Sequence, residues 1–434
     1  MTTPAPIDAY PGSLPLDVDG MRRLPRGRAE AVVAAFDLTR LTPAFLADPY
    51  PVYHALRERR PVLRMASGSV LLTRHADLEA VYKDTALYSS DKRVEFRPKF
   101  GDSPLYEHHT TSLVFNDPPL HTRVRRIIAG ALSPRAVTEM EGPVEALVGG
   151  LLDRMAGRPE ADLIEDFAAQ IPVEVIGNLL DVPRSDRGPL RDWSLAILGA
   201  LEPVLTAEQL ARGNRAVTEF LDYLGGLVAE RRVRPGDPEK DVLTRLIAGE
   251  GDGGRLSETE LLQNCIFILN AGHETTTNLI GNGLVLLAEW PGERRRLIET
   301  PTLIRSAVEE MLRMESSNQL GNRMTTREAE IGGERLPPGT SITLCIGAAN
   351  RDPAVFPAPD RFDVARKPNR HLAFASGPHQ CVGLAVARLE GRIAIERFLE
   401  RFPRYELRGR PRRGGRARFR GFLSVPVALG GPSG

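Results

Sequence analysis

Apolar positions along this chain keep two rhythms. From Leu120 to Glu250 they recur mostly at helical spacing, with breaks at Pro203 and in Pro235-Gly236-Asp237-Pro238. Ser257-x-x-Glu260 then precedes a long apolar stretch, a capping-box signature for a helix start. That helix is expected from about Glu258 to Trp290, where Pro291-Gly292 stops it. At the rise of an α-helix it spans roughly 45–50 Å, enough to cross the molecule. Short β-like runs occur at Val62-Leu63-Arg64, at Ser69 to Thr73, after Arg313, and near Phe419 to Ala428. Residues 88–115 mix Lys, Arg, Pro and Gly with aromatics and read as a long loop, the kind that is usually functional inside a compact domain. Residues 350–369 read as irregular. No repeat or low-complexity linker divides the chain. The pattern predicts a mainly α fold with a small β-rich part: an irregular N-terminal arm over residues 1–40, then a single domain over 41–434.

Composition narrows the function classes. Hydrophobic residues make up 42% of 434 residues, enough for a sizeable core. The formal net charge is +1, so charge gives no case for nucleic acid or a membrane surface as partner. No run of about eighteen apolar residues predicts a membrane span, and Met1 to Arg28 lacks the apolar core of a signal peptide. The three cysteines, Cys265, Cys345 and Cys381, are too sparse for a disulfide framework and fit a reducing, cytoplasmic compartment.

Cys381 carries the most chemistry. It lies in Phe374-Ala-Ser-Gly-Pro-His-Gln-Cys-Val-Gly383, followed by a helical pattern from Leu384. Taken alone, a single cysteine is as well read as a small buried hydrophobe. Here Gly377 and Gly383 leave the backbone open to a flat partner. A sulfur just ahead of a helix start is stabilised as thiolate by the dipole and the orphan N–H groups. Phe-x-x-Gly-x-His-x-Cys-x-Gly resembles the haem-thiolate loop of the cytochrome P450 family, in the bacterial type that lacks a membrane anchor. The resemblance spans roughly residues 45–430. It implies the P450 fold, a long central helix over the thiolate loop, with haem b as cofactor and Cys381 as iron ligand. Phe374, Gly377, His379 and Gly383 would shape the cofactor's bed.

A second motif lies inside the long helix, Asn270-Ala-Gly-His-Glu-Thr-Thr-Thr277. Glycine and threonine weaken the helical ladder and can admit a ligand or water. His273-Glu274 begins like the zinc motif His-Glu-x-x-His, but position 277 is threonine, so the second ligand is missing. The segment resembles the family's oxygen-binding groove. That implies cofactor contact at Ala271 and Gly272, a hydrogen bond from Thr275 to dioxygen at the iron, and a proton path through Glu274.

Glu310 and Arg313 share one helix face at i, i+3. They resemble the family's Glu-x-x-Arg pair, and Arg361 is expected to complete a buried structural network with them. His121 and Arg125, four apart on one face, resemble the family's propionate-binding segment, as do Arg323 and His371. Arginine suits that task because its planar fork binds a carboxylate bidentately. Arg123 and Arg126 are expected to face solvent. Asn318, Leu320, Gly321 and Asn322 occupy a stretch that lines the family's substrate pocket, joined by the 88–115 loop and residues near Trp193 to Leu205. Two departures stand out: Ala375 where the family often has glycine, and Ser317 where it often has proline.

No Gly-x-Gly-x-x-Gly unit follows a strand and no ferredoxin-type cysteine cluster exists. Electrons for a monooxygenase must then come from a separate ferredoxin and its reductase, fed by NAD(P)H. Arg366, Lys367, Arg370 and Arg392 are candidates for a basic docking face, though an ordinary solvated surface reads the same. The resemblance implies a haem-thiolate monooxygenase that inserts one oxygen atom from O2 into a small organic substrate, hydrophobic or a secondary metabolite. A peroxide-using peroxygenase, a biosynthetic oxidase of ring-coupling or nitrating type, and a non-enzymatic haem sensor or ligand carrier are the alternatives.

Overall fold

The structure is a computed structural model that describes residues 14–237, 241–249 and 256–430. The long helix runs Glu258–Glu289, as its pattern predicts. Its start is the predicted capping box: the Ser257 hydroxyl accepts from the Glu260 N–H at 3.2 Å, and the Glu260 carboxylate accepts from the Ser257 N–H at 2.9 Å. From Leu279 to Leu287 every side chain is buried, so this half of the helix is enclosed on all sides. The helices Gln170–Leu179, Leu190–Gly199, Ala207–Val233, Ile304–Met314 and Leu384–Arg401 pack around it.

A five-stranded mixed sheet flanks this helical body. Its order is Val62–Arg64, Val70–Leu72, Ser341–Cys345, Leu320–Thr325 and Tyr88–Ser89. The predicted runs at 62–64 and 69–73 pair antiparallel, Val62 opposite Leu72. Ser341–Cys345 joins two distant parts of the chain, parallel to Val70–Leu72 and antiparallel to Leu320–Thr325. The terminal run supplies Phe422–Ser424 and Pro426–Ala428. Residues 350–369 are turns and bends, as expected.

Two expectations need correcting. Residues 88–115 are not a long loop: they hold the helices Arg93–Phe100 and Pro104–Thr111 and a short 3-10 turn, Leu113–Phe115. Pro98 inside the first helix hides it from pattern reading, whereas Ser103-Pro104 caps the second in a standard way. The expected irregular arm contains the helix Arg26–Ala35, which packs Ala29, Val32 and Val33 inward against Tyr50–Arg59. Residues 1–13 of that arm, and Pro238 of the expected break, lie outside the described residues.

Candidate active site

A chamber of about 330 Å³ lies between the long helix and the loop before Leu384–Arg401. Cys381 opens onto it. The residue is deep in the protein, yet its accessible surface is that of an exposed group, because what it exposes is the chamber wall. The loop is held from within: the Cys381 N–H donates to the Phe374 carbonyl at 2.9 Å. Gly377 has φ +68°, and a Cβ there would sit 2.4 Å from the Tyr82 carbonyl oxygen. Only glycine fits such a position. Ala375 also lies in the left-handed region, at φ +55°, which is where the family often has glycine. Burial pushes the Cys381 thiol up, while the Gly383 N–H, Arg125 and Arg388 pull it down.

On the facing side, Ala271, Gly272 and Thr275 of the long helix line the chamber. Thr275 donates its hydroxyl to the Ala271 carbonyl at 2.7 Å, and Ser317 donates to the Thr275 carbonyl at 2.7 Å. Hydroxyls thus compete for two carbonyls of one helical turn. Gly272 has a packing reason that periodicity does not reveal: a Cβ there would lie 2.3 Å from Ile176 Cδ1. Glu274 is buried but does not reach the chamber. It borders a small second cavity with His273, Asn278 and Arg416, and Arg416 pairs with it. Burial raises its carboxyl to about 7 against the pull of Arg416.

His121, Arg125, Arg323 and His379 converge on the chamber rim. The rings of His121 and His379 lie 3.9 Å apart, and burial beside Arg323, His121 and Arg125 pushes His379 down to about 2. Arg323 sits over the Tyr82 ring at 5.3 Å. Among the described residues, His121 Nε2 and Arg323 Nε are buried with no hydrogen-bond partner. Unsatisfied nitrogens beside the guanidinium groups of Arg125 and Arg323 are what an anionic ligand edge would complete.

The family model for cytochrome P450 matches residues 195–411. Cytochrome P450 107B1 of Saccharopolyspora erythraea is 38% identical over 391 residues, covering 86% of this chain and 93% of the relative. Vitamin D(3) 25-hydroxylase of Pseudonocardia autotrophica is 37% identical over 369 residues, covering 84% and 88%. The solved structure of P450BioI, in complex with an acyl carrier protein ligated to hexadec-9Z-enoic acid, superposes with a TM-score of 0.84 at 32% identity, covering 89% and 98%. The chain belongs to the cytochrome P450 family. It is a P450 monooxygenase, an oxidoreductase with a haem-thiolate cofactor that uses O2 and redox partners.

The residues of this P450 fit that cofactor: a sulfur opening on one wall, the long helix on the other, and unsatisfied donors on the rim. A Cβ on Gly383 would meet no protein atom within 4 Å. Phe374 lines the chamber under the Arg388 guanidinium, 5.1 Å away. His371 is the exception. Its Nε2 lies 3.2 Å from a Glu309 oxygen, beside the Glu309–Arg388 pair, and it does not line the chamber. A carboxylate within reach has claimed it.

The structural network is corrected in one member. Glu310 and Arg313 are fully buried and bonded at 2.7 and 2.8 Å, and Arg313 also donates to the Asn350 and Pro359 carbonyls. The third member is Arg366, whose Nε reaches Glu310 at 2.9 Å. The Arg361 side chain is exposed, and only its carbonyl joins the network. Arg366 is thereby withdrawn from the expected docking face, and Arg392 is engaged by Glu141 and Glu396; Lys367 and Arg370 stay exposed. Arg126 faces solvent as expected, but Arg123 pairs with Glu260.

Asn318, Leu320, Gly321 and Asn322 all line the chamber, as do Leu198 and Leu201. Trp193 does not: its ring packs 4.7 Å from Phe220 and its Nε1 donates to Glu219. His109 lies in the 88–115 segment expected at the pocket, whereas the polar lining residues Asn270 and Arg418 escaped sequence reasoning. Neither polar atom of Asn270 has a partner among the described residues. A signal for Arg418 existed, because arginine at the alternate positions 416, 418 and 420 is odd in a segment entering a buried strand.

Proposed function

We propose that this P450 inserts one atom of O2 into an organic substrate held in the chamber, drawing electrons from a ferredoxin and its NAD(P)H-dependent reductase. The observation that carries the reading is the chamber itself, with the Cys381 sulfur and the Thr275 hydroxyl on its walls. Haem b supplies the oxygen chemistry when bound. Cys381 would hold the iron, and His121, Arg125 and Arg323 would hold the propionates by charge-assisted hydrogen bonds. Thr275 presents its hydroxyl oxygen at the chamber wall, its proton resting on the Ala271 carbonyl. Glu274, raised to about 7 with Arg416 beside it, can give up and retake a proton near neutral pH. The apolar lining excludes bulk water from the reacting carbon. A named hydroxylase among the relatives supports hydroxylation as the reaction type.

Exposed Lys367 and Arg370, in the segment leading to the cysteine loop, offer positive charge to an acidic electron donor. The three cysteines are free thiols, which suits a cytoplasmic setting. Among the described residues no helix is long and apolar enough to cross a membrane. The test is oxygen uptake with ferredoxin, reductase and NAD(P)H, using a ligand found by its shift of the haem absorption. Substrate-dependent uptake with a mono-oxygenated product is expected. Efficient turnover by peroxide alone would instead make the protein a peroxygenase, and no substrate-dependent uptake would make it a sensor or carrier.

A further inference from the structure

The chamber wall is apolar over Leu113, Phe115, Leu179, Leu198, Leu201 and Phe419. Arg418 interrupts it. The residue lies deep in the protein, and the surface it exposes belongs to the chamber. Its guanidinium is braced: Nε donates to the Leu201 carbonyl at 3.0 Å, Nη1 to the Leu320 carbonyl at 2.6 Å, and Nη2 to Asn322 Oδ1. A guanidinium has five N–H groups. One on each Nη is therefore left without an acceptor among the described residues, and no carboxylate there lies in ion-pair range of Arg418.

The carboxylates nearest in charge are already engaged. Glu202 accepts the backbone N–H groups of Ala417, Arg418 and Phe419. Glu95 pairs with Lys92 at 2.7 Å and accepts from Ser341. Lys99, a further cation on this side, donates to the Glu202 carbonyl at 2.6 Å. Glu202 and Glu95 lend Arg418 charge from a distance, but a buried cation with spare donors and no direct ion pair is still costly unless a ligand completes it. The cofactor's propionates are another source of a carboxylate; their partners cluster around His379, and Arg418 adjoins that cluster through Asn322, the neighbour of Arg323. Arg418 is also tied to Leu201, which follows the helix Leu190–Gly199.

We infer that Arg418 anchors an anionic group of the substrate, so that the chamber takes an apolar molecule bearing a carboxylate. This rests on reading the chamber as the substrate pocket. The carboxylate would accept from the two free Nη–H groups in the fork geometry that guanidinium favours. Its apolar body would lie along the leucine and phenylalanine wall, toward Thr275.

The test is a titration of the haem-loaded protein, followed by absorption shift and by calorimetry. The probes are matched pairs: dodecanoate with dodecanol, and phenylpropionate with phenylpropanol. Wild type is expected to bind at least one acid about tenfold or more tighter than its alcohol, as a charge-assisted pair implies. Arg418→Gln should erase that preference while keeping the wild-type ferrous carbon monoxide spectrum, and Arg418→Lys should restore part of it. Three results overturn the inference: no acid preference in wild type, an unchanged preference in Arg418→Gln, or faster haem loss in Arg418→Gln with acid preference intact. The last would assign the guanidinium to the cofactor. A wild type without the haem-thiolate spectrum would sink the functional reading first, and separately.

Discussion

Ala375 sits at φ +55° one residue after Phe374 in the cysteine loop. Left-handed backbone costs an L-residue with a Cβ about 1–2 kcal/mol, partly offset by the entropy glycine loses on folding. Ala375→Gly should therefore stabilise the protein by about 1 kcal/mol, read from denaturant midpoints. Glu274 makes a second residue-scale case. Glu274→Gln keeps the shape but has no proton to exchange, so coupled product formation should fall by about 10- to 100-fold while NAD(P)H use persists and peroxide accumulates. An unchanged ratio of product to NAD(P)H would remove Glu274 from the proton route. Residue identity singled out Cys381 and Thr275, which line the chamber, and Glu274, which borders the second cavity instead. The roles of Arg418 and Asn270 were not legible. Asn270 has no partner for either polar atom among the described residues, Arg418 has only neutral acceptors, and both are properties of the folded chamber.

Elements were legible where one periodicity ran uninterrupted between strong end signals. The long helix is the example, capped at Ser257 and stopped before Pro291 as expected. The 88–115 region was not, because two eight-residue helices carry too few turns to show a face, and Pro98 breaks the first pattern. The Glu310 network shows the same limit. A local i, i+3 pair was visible in sequence, but the third partner lies 56 residues on, and two arginines in one segment compete for it. The two are separable by experiment. Arg366→Ala removes one of two cations from a fully buried carboxylate that keeps Arg313 and should cost about 1.5–3 kcal/mol, with loss of haem on heating. Arg361→Ala removes an exposed side chain and should stay within about 0.5 kcal/mol. Thermal unfolding of the two variants decides it; equal losses would return Arg361 to the network.

Across the whole molecule, buried carboxylates set a pH window. Glu309 and Glu315 are each pulled down to about 2, by His371 and Arg388 and by Arg420, Arg413 and Arg351, against the opposing effect of burial. Their stabilisation is present above the unfolded carboxylate value and lost as pH falls toward 2. Glu274 and Glu390 shift the other way, raised by burial to about 7 and about 8. Their stabilisation is present below about 4.5 and lost as pH rises through 7 to 8. Glu390 has an oxygen without a partner among the described residues, so Glu390→Gln should flatten the alkaline side of the melting-temperature profile by a few degrees. A profile unchanged from pH 6 to 9 would contradict this. Every functional role proposed for the chamber depends on the sulfur of Cys381 as iron ligand, and the ferrous carbon monoxide spectrum measures that most directly. The wild type should show the strongly red-shifted band of a thiolate-ligated haem, and Cys381→Ala should lose it. The same band in Cys381→Ala, or its absence from haem-loaded wild type, would contradict the account.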